Sequence, residues 1–336
     1  MNTVAFSEDE LIARFFAPLA GAGGLGLRDD AAHIAPPAGA DIVMTVDALV
    51  AGVHFFADDP AGAIARKALR VNLSDLAAKG AAPLGFLLTF AMPSPWPDHL
   101  APLNDWLSAF ARELGEDAET YGCPLLGGDT VKTPGPLTLS LTAFGQVPAG
   151  KMVARTAARP GDLIAVTGTI GDAALGLRCR TEANASWTTS LEPAHREFLA
   201  RRYLLPEPRS AVAEILRTHG HAGMDVSDGL IGDLEKMMRV SGVSARVALD
   251  AVPLSEAACH AIAADPSLFE TAMTGGDDYE ILLTATPAAT ERLKAEAMTA
   301  GVAISVIGEV LAGTDDVAFS RGEAAITFSR RSYSHF

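Results

Sequence analysis

Cysteine is scarce in this chain: three among 336 residues, at positions 123, 179 and 259, with no CxxC pair. So few and so scattered, they build neither a disulfide scaffold nor a thiolate zinc centre, and Cys123, Cys179 and Cys259 read as reduced packing residues. Long apolar runs are lacking too. The longest, AAPLGFLLTFAM at 81–92, is broken by Pro83 and Gly85 and is too short to span a bilayer. The opening MNTVAFSEDELIARFF has acids where a signal peptide would carry a basic region, so a cytoplasmic location is expected. Positive charge is in deficit, with 26 Lys and Arg against 41 Asp and Glu, a net −15. That balance disfavours nucleic acid, whose phosphates are held by Lys and Arg surfaces. It also looks awkward for phosphorylated small molecules, unless the acids hold Mg²⁺ and the metal meets the phosphates. No HExxH and no Ser/His/Asp order is visible, which leaves zinc hydrolysis and nucleophilic hydrolysis without support.

What is present is a folded composition, 49% apolar and 20% charged, in a chain long enough for two domains. Ser7 and the acids after it open a predicted amphipathic helix over 7–19. GAGGLG at 21–26 matches GxGxxG formally, but it follows a helix rather than a strand and reads as a flexible loop. Strands are predicted over 42–47, 86–92, 124–128 and 137–147, and helices over 60–79 and 100–121. GQVPAGK at 145–151 resembles the start of a phosphate loop. Met152 stands where Ser or Thr would ligate Mg²⁺, and Pro148 removes a backbone donor, so a strand end with a turn is the better reading. The domain boundary falls here, giving domains 1–150 and 151–336, both α/β. In the second, strands are expected at 162–167, 221–226, 244–249 and 280–285, separated by helices, with 181–195 a polar surface insertion.

The recurring feature is aspartate at strand ends and glycine turns. TVDALVAGVH at 45–54 runs Thr45 and Val46 into Asp47 and then delivers His54. Asp30, Asp75 in NLSDL, Asp129 in GGDT, Asp225 and Asp228 in MDVSDG, and Asp277 in GGDDYE repeat the theme. Short carboxylates on fixed backbone suit Mg²⁺, which takes one or two of them and completes its shell with water and phosphate oxygen. Each aspartate alone could equally be a helix cap or an Asx turn, and Ser227-Asp228-Gly229 reads as an ordinary helix start. The pairs Gly127-Gly128 and Gly275-Gly276 would let backbone amides approach an anion. Arg155, near the boundary, is the candidate cation for phosphate, and Arg159 reads as a surface ion-pair residue. Together these residues point to a Mg²⁺-dependent phosphoryl-transfer enzyme.

TVDALVAGVHF, KALRVNLSDLAAKGAAP, LLGGDT, GQVPAGKMVARTAARPGD, VTGTIGDAALGL, MDVSDGLIGDL, TGGDDYEILLT and the terminal YSHF run in one order along nearly the whole chain. In that combination the sequence resembles the thiamine-monophosphate kinases of the aminoimidazole-ribonucleotide-synthetase superfamily. The resemblance implies a two-domain α/β (α+β) fold, with an N-terminal domain that dimerises and binds ATP and Mg²⁺, and a C-terminal domain that completes the nucleotide and substrate site. It implies a homodimer and ATP-dependent phosphorylation of thiamine monophosphate to thiamine diphosphate with several Mg²⁺ ions. Asp30, Thr45, Val46, Asp47, Asp75, Asp129 and Asp225 would be metal ligands, Thr45 and Val46 through carbonyls, and Asp228 would hold a further ion. Gly127, Gly128, Arg155 and Ser227 would meet ATP, with Asp47, Asp75, Asp129 and Arg155 central to catalysis. His54, Asp277 and Tyr333 would line the thiamine monophosphate site. Arg28-Asp29-Asp30 replaces a usual Gly-Asp-Asp, which leaves Asp29 and Asp30 as alternatives, while Val46 and Ala48 stand where Thr is usual and Asp277 where Glu is common. Sister synthetases of the superfamily, a metal-dependent phosphatase and a non-catalytic binding module are the rival readings. A selenophosphate synthetase would want a reactive cysteine near the N-terminus, and the first here is Cys123.

Overall fold

A computed structural model describes residues 6–329, 331 and 332. The chain divides into two compact units, 1–76 with 82–150, and 77–81 with 151–336. Among the described residues no helix is long and apolar enough to cross a membrane.

The first unit is built on four strands, β1 (Ala40–Val50), β2 (Ala82–Pro93), β3 (Leu125–Thr133) and β4 (Thr138–Pro148), in the order β1-β4-β2-β3. Only β2 and β3 run parallel. Alternation sorts the side chains of β1: Val43 and Leu49 are buried, whereas Ile42, Met44 and Val46 are exposed on the other face. The inner face carries Phe86, Phe90, Leu139 and Leu141, all fully buried. The helix Leu103–Thr120 covers it, because Trp106, Phe110, Leu114 and Ala118 recur at helical spacing. Phe90 meets Phe110 edge to face at 5.4 Å and also packs against Phe16 and Trp106.

Charge fastens the helix Ala61–Ala78 to this layer. Asp117, fully buried, accepts from Arg70 Nε at 2.5 Å, from Arg70 Nη2 at 3.0 Å and from Arg66. Arg66 also reaches Glu113 and Glu116.

The second unit is a seven-stranded mixed sheet in the order β11-β10-β7-β9-β5-β8-β6. Its strands are β5 (Leu163–Thr167), β6 (Ala222–Asp225), β7 (Ser244–Ala248), β8 (Ile281–Ala285), β9 (Ile304–Leu311), β10 (Ala318–Arg321) and β11 (Ala324–Ile326). Ala77–Ala81 belongs here: Lys79 Nζ donates to the Gly223 carbonyl at 2.7 Å, and Arg217 donates to that of Gly80.

Several expectations needed correcting. β1 continues past Asp47 to Val50 because its ladder with β4 runs on to Val50–Thr138. The predicted helix 7–19 keeps its capping box at Ser7 and Glu10, but only Glu8–Leu11 is α-helical; tighter and wider turns carry it to Leu19. GAGGLG forms short turns with left-handed Leu25 and Gly26. The insertion 181–195 contains the short helix Ser186–Ser190, anchored by buried Trp187.

Removing Asp117 takes the fully buried carboxylate away from Arg70 and from one arm of Arg66, while removing Glu116 takes away a carboxylate already half in water. Asp117→Ala should cost about 3 kcal/mol in urea unfolding, at the low end for a broken buried pair because both arginines can rehydrate. Glu116→Ala should cost about 0–1 kcal/mol. Equal losses would contradict this account of the helix pair.

Candidate active site

In the first unit, Thr45 and Asp47 are two residues apart on the inner side of β1, both half-buried. The Thr45 hydroxyl donates to Asp75 on the helix Ala61–Ala78. Side chains at i and i+2 lie about 7 Å apart on one strand face, so three oxygen donors are gathered over this strip. Val46 points away, with 59% of its surface exposed, and only its backbone lies in line with them. After β1 the chain turns through left-handed Gly52, and Val50 N–H donates to His54 Nδ1 at 3.0 Å. With Nδ1 accepting, the proton of a neutral imidazole sits on Nε2. Buried Lys67 donates to the His54 carbonyl at 2.9 Å and pins the turn.

A second group surrounds a cavity of about 790 Å³ in the same unit. Asp29, Asp30, Gly127, Gly128 and Asp129 line it together with apolar Ile12, Phe16 and Leu87. Both Asp29 and Asp30 therefore border it. Asp129 pairs with Thr89, and Asp47 shares its row with Leu141, Leu88 and Gly128. Asp129 thus belongs to the outer face and Asp47 to the inner one. Their strands are the two edges of the sheet, three steps or about 14 Å apart. Within one chain the acids form two groups. The Gly127-Gly128 pair also has a structural reason: at Gly128, with φ +156°, a Cβ would come 1.8 Å from the Leu88 carbonyl oxygen.

In the second unit, Asp225 ends β6 and is buried. The next residues do not cap a helix through a side chain; Gly229, at φ +111°, occupies the cap position of the helix Leu230–Ser241. Instead Asp233 turns back from that helix and accepts from the N–H groups of Ser227 and Asp228, each at 3.0 Å. Lys236 pairs with Asp228 at 2.6 Å and with Asp233 at 3.1 Å. The GGDDYE loop lies against this turn, with Asp277 N–H on the Ser227 carbonyl and Tyr279 N–H on that of Val226, both at 2.9 Å. Gly276 is required for the approach, since a Cβ there would stand 2.2 Å from the Ser227 carbonyl oxygen. Asp277 takes a left-handed backbone, φ +74°. Arg155 and Arg159 are exposed. Tyr333 lies outside the described residues.

The supports beneath this loop were not legible as single residues. Glu280, fully buried, accepts from Thr167 at 2.6 Å, Arg202 at 2.9 Å and Arg209. Asp278 accepts from the N–H groups of Gly171 at 2.7 Å and Ala173 at 3.3 Å. Complete burial pushes the Asp278 carboxyl well above the usual range, and burial raises Asp172 and Asp233 as well. Burial also lifts the thiols of Cys123 and Cys179 to about 12 and about 11, which makes them poor nucleophiles.

A carboxyl raised on folding holds a proton that the unfolded chain has released. Its contribution to stability is therefore present at low pH and lost as pH climbs above the unfolded value near ~4. Urea unfolding of wild type and Asp278→Asn across pH should show the wild-type advantage shrinking from about pH 4 upward. An advantage that grows with pH would contradict a proton on Asp278.

Comparison with known proteins closes the identification. Residues 28–147 match the N-terminal domain of the AIR synthase related proteins, and residues 159–320 match the C-terminal domain. The thiamine-monophosphate kinase of Caulobacter vibrioides is 40% identical, over 98% of this chain and 91% of its own. That of Salmonella typhimurium is 38% identical, over 99% of each. The crystal structure of the Stenotrophomonas maltophilia thiamine-monophosphate kinase superposes with a TM-score of 0.77 at 38% identity, covering 87% of this chain and 89% of that one. A structure of AaThiL complexed with AMPPCP and TMP aligns over 100% of this chain and 99% of its own, with a TM-score of 0.76 at 26% identity. The two-domain AIR synthase architecture and full-length kinship above 30% identity agree: the chain belongs to the thiamine-monophosphate kinase family.

Proposed function

We propose that this protein transfers the γ-phosphoryl group of ATP directly to the phosphate of thiamine monophosphate, yielding thiamine diphosphate and ADP. The observation that carries the reading is the strip of oxygen donors on β1, Thr45 bonded to Asp75 with Asp47 beside it, in a chain of this family. Relatives supply the substrates: the AaThiL structure is complexed with AMPPCP and TMP. The donor set fits a hard dication, being carboxylates and one hydroxyl with no thiolate. Asp30, Asp47, Asp75 and Asp129 would hold Mg²⁺ with Thr45 and the Val46 backbone, and Asp225 and Asp228 would hold further ions. At Asp228 a cation must displace the ammonium of Lys236. Bound Mg²⁺ would screen the phosphates from each other and neutralise charge on the transferring group.

No protein base is required. The second pKa of a phosphate monoester is near ~6, so the attacking oxygen is already ionised at neutral pH. The task left to the side chains is positioning and charge. Arg155, the Gly127-Gly128 backbone and Ser227 would grip the nucleotide. His54 would donate from Nε2 to thiamine monophosphate, and Asp277 would face its cationic ring.

We further propose a homodimer through the first unit. Ile42, Met44, Val46 and Val131 leave the outer sheet face apolar and open, Met44 with 66% of its surface exposed.

Purified protein with ATP, Mg²⁺ and thiamine monophosphate should form thiamine diphosphate one-for-one with ADP, resolved by chromatography. Asp47→Asn should lower kcat by about a thousandfold or more while leaving the fold intact by circular dichroism. ATP consumed with release of inorganic phosphate and no thiamine diphosphate would refute the reading.

A further inference from the structure

The second unit carries a cluster of side chains of metal-ligating type, none of which has a role assigned above. His195 stands in the first turn of the helix Pro193–Leu204, and Glu256 and His260 are four apart on the helix Glu256–Ala264. That spacing puts Glu256 and His260 on one helix face. Ligand atoms of all three residues lie within 4.8 Å of one another, and His260 Nε2 is 3.9 Å from Glu256 Oε1. The rings of His195 and His260 stack, with centroids 4.7 Å apart and planes at 29°. His195 is half-buried, and its Nδ1 is buried with no hydrogen-bond partner among the described residues.

Those features have a common explanation. A buried ring nitrogen left without a partner needs an account, and an ion is one of the few available. Two imidazole nitrogens and one carboxylate are donors that borderline dications accept readily and that Mg²⁺, preferring oxygen, does not. We propose that His195, Glu256 and His260 form a surface site for a transition-metal dication of the zinc class, with a fourth position open to solvent. Tetrahedral bonds of about 2.0–2.1 Å put donors ~3.4 Å apart, so the widest pair must close by roughly 1.4 Å. That closure falls to the exposed Glu256 and His260 side chains, and the His260 ring must turn out of its stack on His195 to aim a nitrogen at the ion. The ion would tie together two helices distant in sequence.

The test uses the full chain and Zn²⁺ alone as probe, by calorimetric titration with millimolar Mg²⁺ present to occupy oxygen sites. Wild type should show one tight binding event. His195→Ala/His260→Ala should weaken it by roughly a hundredfold or more, and Glu256→Gln by roughly tenfold. If the double variant fails to fold, Cu²⁺ bound to wild type still decides the question: its electron paramagnetic resonance spectrum should show coupling to two imidazole nitrogens. Identical Zn²⁺ isotherms for wild type and a folded double variant, or a Cu²⁺ spectrum without nitrogen coupling, would overturn the proposal.

Discussion

Carboxylates held near one another on a rigid sheet repel, and the first unit fixes several of them on one strand and the helix packed against it. Asp47 is fixed by the ladder of β1, Asp75 by a helix packed on the same face, and the Thr45 hydroxyl, two residues before Asp47, donates to Asp75. Elsewhere the protein answers buried acids with arginine, as at Asp117 and Glu280. Those acids support the fold, whereas the proposed reading assigns the β1 strip to Mg²⁺. It also accounts for a charge of −15 in a protein whose substrates are anions.

The second unit follows a different logic. Its candidate-site loops are positioned from beneath by polar groups that solvent does not reach. Asp233 gathers two N–H groups of the Ser227 turn, Glu280 gathers two arginines and a threonine, and Asp278 holds the start of the helix Asp172–Thr181. Left-handed Asp277 and Tyr279 are strained conformations that such anchoring sustains. Rigid support of this kind matters where transfer depends on alignment and charge rather than on a protein nucleophile.

The strands and helices that carry the site were legible because each pairs a periodic apolar pattern with a glycine or aspartate turn, as in TVDALVAG and MDVSDG. β9 was missed although it lies inside the second sheet. Its burial recurs every third residue, since a register shift against β5 breaks the alternation a strand normally shows. Gly308 sits within it because a Cβ would meet the Arg246 carbonyl oxygen at 2.2 Å, a contact no local pattern announces. Asp277 and Asp278 are adjacent and chemically alike; only burial makes one a ligand candidate and the other a structural acid. The separation of Asp47 from Asp129 was equally hidden, because strand order is a tertiary property. So was the meeting of His195 with Glu256 and His260, which belong to different helices.

The central claim is that the aspartates of the first unit are metal ligands. Crystals grown with Mn²⁺ and a non-hydrolysable ATP analogue test it most directly, through anomalous difference maps. The account predicts Mn²⁺ peaks within about 2.5 Å of carboxylate oxygens of Asp47 and Asp75, bridging to the nucleotide phosphates. A nucleotide bound with no metal peak beside either aspartate would contradict it.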